Sequence, residues 1–180
     1  TPGGIVHDWS GTVFYPGVSI ERVTSILLDY DSHKTIFSEV IDSKILEESG
    51  DSMTVFLRFK KKEILTVVTD TYHTVSNYRI SANKTQIHSR STLINEVDNF
   101  GKDDEKLLPE GEDHGFLWRM NSYWSLEEIE GGVMVECRSV TLSRDVPFGL
   151  DLIIGPIINR MPRESLESVL NTMKDNLSNN

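Results

Sequence analysis

A segment near the end of this 180-residue chain, Pro162 to Leu177, sets Leu166, Val169, Leu170, Met173 and Leu177 on one face at helical spacing. Pro162 suits the first position of such a helix, where its missing N–H leaves no intrahelical bond unmade. A long helix with one apolar stripe must bury it, and nearly everything between residues 40 and 143 reads as strand. The strands are too many for one flat layer and are joined by hairpin-like turns. The expected architecture is therefore a curved antiparallel sheet wrapped around the terminal helix, a packing that leaves room for a cavity.

Residues 5 to 15 alternate as a first strand, with Ile5, His7, Trp9, Gly11, Val13 and Tyr15 on one face, and Pro16-Gly17 ends it. Ser19 is an N-cap for a helix that turns Ile20, Val23, Ile26, Leu27 and Tyr30 inward, with Val18 and Val23 in the positions of a hydrophobic staple. A short second helix is expected through Thr35, Ile36 and Phe37. Six more strands follow, over Val40 to Glu47, Met53 to Lys60, Leu65 to Ser76, Lys84 to Glu96, Gly115 to Glu128 and Gly132 to Ser143. Their separators are turn material, including Glu48-Ser49-Gly50-Asp51, Ser76-Asn77-Tyr78, Ser81-Ala82-Asn83 and Glu130-Gly131-Gly132. Short connections between consecutive strands mean an antiparallel meander.

Two stretches fit neither pattern. Asp98 to His114 is rich in Asp, Glu and Gly without the ligand offsets of an EF-hand, so it reads as a solvated hairpin extension placed to act as a lid. Leu152 to Ile158 is apolar but interrupted by Gly155-Pro156, which argues against one continuous helix. This run packs under the sheet, borders the pocket mouth or meets a partner.

With 38% hydrophobic residues the chain supports one substantial core, and residues 1–180 are expected to form a single domain. A net charge of -10 disfavours nucleic acid and anionic membrane surfaces, and the basic run Lys60-Lys61-Lys62 sits at a strand end as a solvated turn. No stretch approaches the length of a membrane-spanning helix, so a soluble protein without stable membrane insertion is expected. The first residues, Thr1-Pro2, leave open a cytoplasmic protein or one exported after removal of a preceding segment. A lone cysteine, Cys137, excludes an internal disulfide and reads as a buried structural thiol.

The order strand, short helices, antiparallel strands and long C-terminal helix resembles the helix-grip fold of the START and polyketide-cyclase/dehydrase superfamily, which includes the birch-pollen-allergen type. Ile20 to Asp31 resembles that family's first helix and its exit. Tyr123-Trp124-Ser125-Leu126-Glu127-Glu128-Ile129-Glu130-Gly131-Gly132-Val133-Met134-Val135-Glu136 resembles its sixth-to-seventh strand hairpin, and Met161-Pro162 to Leu177 its closing helix. The resemblance spans nearly the whole chain and implies an α+β fold with a seven-stranded curved sheet and a deep cavity for lipids, sterols, hormones or polyketides. It does not choose among them, because one fold hosts many functions.

The polar and aromatic residues that could line such a cavity follow from strand alternation. Trp9 shares a face with His7, and is either a core tryptophan or a ligand wall. Tyr72 and His73 are neighbours, so one of them points inward; Tyr72 is the expected anchor, with His88 and Arg90 on the next strand. Phe116, Trp118, Met120, Ser122, Trp124 and Leu126 form an apolar face, making Trp118 and Trp124 expected walls. Arg138 is a carboxylate partner if inward and a surface pair with Glu136 if outward. The five histidines match no metal-binding spacing, no nucleophile elbow or nucleotide loop is present, and neither a metal, a cofactor nor a set of catalytic residues is assigned. The expected function is binding or transport of a small hydrophobic or amphipathic ligand through Trp9, Tyr72, His88, Arg90, Trp118 and Trp124. A cyclase, dehydratase or isomerase using acid–base chemistry at His88 with Tyr72 or Arg90 is the alternative. A partner-binding module built on Leu152 to Ile158 and the acidic loop is a third. Oligomeric state is left open.

Overall fold

The computed structural model describes residues 3–62, 66–109, 111–144 and 155–178, and in it the alternating segments join into one antiparallel sheet. Strand β1 (Gly4–Pro16) leads to helix α1 (Ile20–Leu28), a 3₁₀ turn (Tyr30–Ser32) and the short helix α2 (His33–Ile36). Strands β2 (Val40–Ser49), β3 (Ser52–Lys62), β4 (Thr66–Ser81), β5 (Lys84–Asp98), β6 (Lys106–Leu107), β7 (Arg119–Ile129) and β8 (Gly132–Arg144) follow, and helix α3 (Gly155–Ser178) closes the chain. The spatial order is β1-β8-β7-β5-β4-β3-β2, with β6 paired to the end of β5. This is the α+β helix-grip arrangement, an open curved sheet closed over by one long helix.

Among the described residues there are eight strands rather than the expected seven, because the acidic loop contributes a two-residue pair, Val97 with Leu107 and Asp98 with Lys106. Ser76-Asn77-Tyr78 is not a turn. These residues pair with His88, Ile87 and Gln86, so β4 continues to Ser81 and the hairpin closes at Ala82-Asn83 instead. At the other hairpin end, β7 begins at Arg119 rather than Gly115, where φ is +78° and the extended register cannot start.

Helix α1 starts as its sequence predicts: the Ser19 side chain accepts from the Arg22 amide at 3.3 Å. Helix α3 starts earlier than expected, at Gly155, so Pro162 lies inside it and removes one backbone donor. Within Leu152 to Ile158, residues 152–154 lie outside the described residues, and the proposed packing of that run goes with them.

The core fills one end of the grip. Tyr15, Ile20, Val23, Leu126, Val133, Val135 and Met173 are fully or almost fully buried there. The sheet meets the helix directly at Gly11, where a Cβ would lie 2.8 Å from Leu170 Cδ1. A larger residue there would have to displace the Leu170 side chain. Among the described residues, no helix is long and apolar enough to cross a membrane.

Candidate functional site

Along β7 and β8 the inward positions change character from one end to the other. Leu126, Val133 and Val135 belong to the packed end; beyond them come Trp124, Ser122 and Met120 on β7, and Cys137, Ser139, Thr141 and Ser143 on β8. Small hydroxyl side chains leave volume that α3 does not fill. The result is a cavity of about 680 Å³ between the sheet and the N-terminal half of α3. Leu57, Phe59, Ile87, Met120, Trp124, Leu166 and Val169 make its apolar walls.

Of the six residues expected to contact a ligand, Trp124 lines this cavity. Trp9 shares the face of His7 but sits on edge strand β1, remains 38% exposed and is not among the lining residues. Trp118 precedes the regular part of β7. Its indole N–H donates to Asp113 Oδ1 at 3.0 Å, and the Arg144 guanidinium lies 5.9 Å from its ring. Tyr72, His88 and Arg90 lie on the convex face: Tyr72 packs on Phe56 at 5.4 Å, His88 lies between Tyr78 and Tyr123 at 5.1 and 5.2 Å, and Arg90 covers Tyr123. Cross-strand register decides this. Val55, Leu57 and Phe59 stand opposite His73, Thr71 and Thr69, so apolar β3 residues and odd-numbered β4 residues share the concave face. The inward member of the Tyr72-His73 pair is therefore His73. Arg138 also faces outward and pairs with Asp8 at 2.8 and 2.5 Å, an exposed bridge of small energetic weight.

Sequence reading passed over the polar groups that do line the cavity. His73 is 2% exposed; its Nε2 lies 3.0 Å from Thr71 Oγ1 and its Nδ1 3.2 Å from Ser89 Oγ. Burial pushes His73 down to about 4, so it is neutral at ordinary pH. Tyr30 reaches the same wall from the turn after α1, with its phenol toward Ser89, and burial raises it to about 12. His33 stacks between Tyr30 and Phe37 at 4.3 and 5.0 Å and donates from Nε2 to the Ile26 carbonyl at 3.2 Å; burial lowers it to about 4. His7 lies 3.4 Å from Ser143 Oγ, and burial also lowers its pKa. Cys137 lines the cavity too, with its thiol pushed up by burial and so unreactive.

Two polar clusters shape the rim. Glu39 holds Lys61 and accepts from Ser165 Oγ at 2.9 Å, tying the start of β2 and the end of β3 to α3. Glu96, buried on β5, accepts from the His114 and Phe116 amides at 2.9 and 2.8 Å and from the His114 ring at 2.9 Å. Those bonds fix the segment from His114 to Leu117, which forms part of the cavity wall. Among the described residues, no cluster of His, Cys, Asp or Glu is arranged to hold a metal ion.

No protein-family model matches the chain, and no curated protein matches it. Solved structures do. A START superfamily protein from Mycobacterium smegmatis is 16% identical, with a TM-score of 0.62 over 96% of this chain and 98% of its own. A STAR-related lipid transfer protein from Xanthomonas axonopodis is 16% identical, with a TM-score of 0.63 over 99% and 95% of the two chains. The Zhui aromatase/cyclase from Streptomyces sp. R1128 is 15% identical, with a TM-score of 0.60 over 97% and 94%. One of these is described as a lipid transfer protein and another as an enzyme, so the shared architecture serves both roles. Over nearly its full length, this chain has the helix-grip fold of START superfamily structures.

Proposed function

We propose that the chain binds and carries a small, largely apolar molecule in the cavity between its sheet and α3. The observation that supports this is the unfilled space of about 680 Å³ beside a helix whose other half is tightly packed. Removing apolar ligand surface from water is worth about 25 cal/mol per Å², so walls such as Phe59, Met120, Trp124 and Leu166 supply the affinity. Trp124 is the tryptophan contact in this reading, and Trp9 and Trp118 flank the cavity without lining it.

Trp124 makes the reading testable by fluorescence. In a Trp9→Phe/Trp118→Phe variant, Trp124 is the one tryptophan left, and titration with fatty acids, sterols and aromatic polyketides is expected to change its emission. Native mass spectrometry of freshly purified protein is expected to retain a ligand mass. Silence in both experiments overturns the carrier reading.

A second reading, a cyclase or dehydratase, is favoured by one observation: Tyr30, Ser89 and His73 gather acid–base groups on the cavity wall. His88, the histidine expected for this chemistry, faces away. The enzyme reading requires that His73→Ala abolish turnover of a poly-β-ketone substrate while folding is retained.

A further inference from the structure

The hydrogen bonds along the buried wall have one consistent direction. Thr71 Oγ1 donates its single hydrogen to the Leu57 carbonyl at 3.0 Å. Its 3.0 Å contact with His73 Nε2 therefore requires the imidazole to donate. With the proton on Nε2, Nδ1 is bare and accepts from Ser89 Oγ at 3.2 Å. That commits the Ser89 hydrogen and leaves its lone pairs facing the Tyr30 phenol. The phenol therefore donates to Ser89 Oγ, and Tyr30 ends the row, with its own oxygen lone pairs uncommitted among these four side chains and a hydrogen that can turn to a ligand. Tyr30, Ser89 and His73 all line the cavity and are 6%, 5% and 2% exposed.

We propose that this wall is a receptor for one neutral oxygen, the ketone or alcohol of an otherwise apolar ligand, bound at Tyr30 and Ser89. A ketone takes the Tyr30 hydrogen in place of Ser89, whereas an alcohol can also donate to the phenol oxygen or to the Ser89 lone pair so released. Every group in the row is uncharged, and burying a carboxylate or ammonium against it leaves that charge without a counter-ion. The cations near the cavity do not supply one. Lys61 is engaged by Glu39, and Arg144 is far along the sheet. Ser89 pairs with Ser122 and Ser122 with Ser139, which sets all three at one level; Arg144 lies five residues further along β8, about 17 Å at about 3.3 Å per residue. The ligand is thus oriented, oxygen at the wall and hydrocarbon toward the rim where His114 and Arg144 are exposed.

This inference rests on the carrier reading, and four matched probes separate the two. Isothermal titration at pH 7.5 compares 2-acetylnaphthalene, 1-(2-naphthyl)ethanol, their hydrocarbon isostere 2-isopropenylnaphthalene, and 2-naphthoate. Each neutral probe's association constant is divided by its water-to-hexadecane partition coefficient. The ketone, the alcohol or both are expected to exceed the isostere by at least about tenfold on this measure, and the naphthoate to bind at least about tenfold more weakly than the better of them. In Tyr30→Phe that excess is expected to fall to within about twofold, with Ser89→Ala as a second variant that lowers it. Which of the two oxygens wins tells whether Tyr30 donates to the ligand or the ligand donates to the wall. Equal normalised values in the native protein, an unchanged excess in Tyr30→Phe, or tightest binding by the naphthoate overturns the inference while leaving the carrier reading in place. Failure of all four probes to bind overturns both.

Discussion

The Tyr15 phenol donates to the Leu170 carbonyl at 2.8 Å, joining the end of β1 to the middle of α3 where the packed core meets the cavity. The hydroxyl is buried and its partner already belongs to a helix, so the bond adds a second claim on that carbonyl. Burial raises the phenol's pKa. Tyr15→Phe keeps the ring and removes the bond, and is expected to cost about 1 kcal/mol. Urea denaturation checks it: the midpoint falls with the slope unchanged. An unaltered midpoint would show that the bond holds nothing.

Cavity volume is set by small side chains on the concave face, so filling it tests whether that space is available to ligands. Ser139→Leu projects an isobutyl group into the cavity. Ligand affinity is expected to drop by about tenfold or more, with melting temperature unchanged or raised by the added apolar burial. Calorimetric titration with 2-acetylnaphthalene and differential scanning fluorimetry measure the two effects. A destabilised variant would mean that Ser139 has no free space in front of it.

Acid should weaken the fold through two histidines. His33 and His73 are held near 4 by burial, against 6.5 for an exposed imidazole. Between pH 6.5 and 4 the unfolded chain binds protons that the native one refuses, so stability falls as pH drops through that window and is unaffected by these groups above it. Each shift corresponds to roughly 3 kcal/mol once pH is below both values. Denaturation at a series of pH values should give a shallower slope for His73→Gln. An equal slope would mean that His73 is charged, or solvated, in the native protein.

Glu96 should control the loop wall. A carboxylate serves the His114 and Phe116 amides with separate oxygens, whereas an amide side chain offers one acceptor. Glu96→Gln is expected to cost about 1–3 kcal/mol. It should also raise hydrogen exchange at residues 114–117 before the rest of the sheet responds. Exchange unchanged at these amides would show that other contacts hold the segment.

Local pattern was enough for most of the architecture. Alternation marks the long strands, Ser19 marks the start of α1, and the stripe Leu166, Leu170, Met173 and Leu177 identifies the face of α3 that is buried. These features depend on residues close in sequence. Pro162 misled because its preference for a helix start is equally met by Pro156, one residue inside the observed start.

The candidate site was hidden for a different reason. Alternation states that Tyr72 and His73 point to opposite faces but not which face is concave, and the large aromatics that looked like ligand anchors stack on the outside of the curve. The strand register that sets His73 opposite Val55, and the turn that brings Tyr30 to Ser89, join residues far apart in the chain. A sheet and one long amphipathic helix were legible in the residue order, because each is encoded by spacing along a few helical turns or strand residues. Which wall is hollow depends on the folded arrangement, because a cavity is the volume that small side chains from separate strands leave unfilled when they converge under the helix.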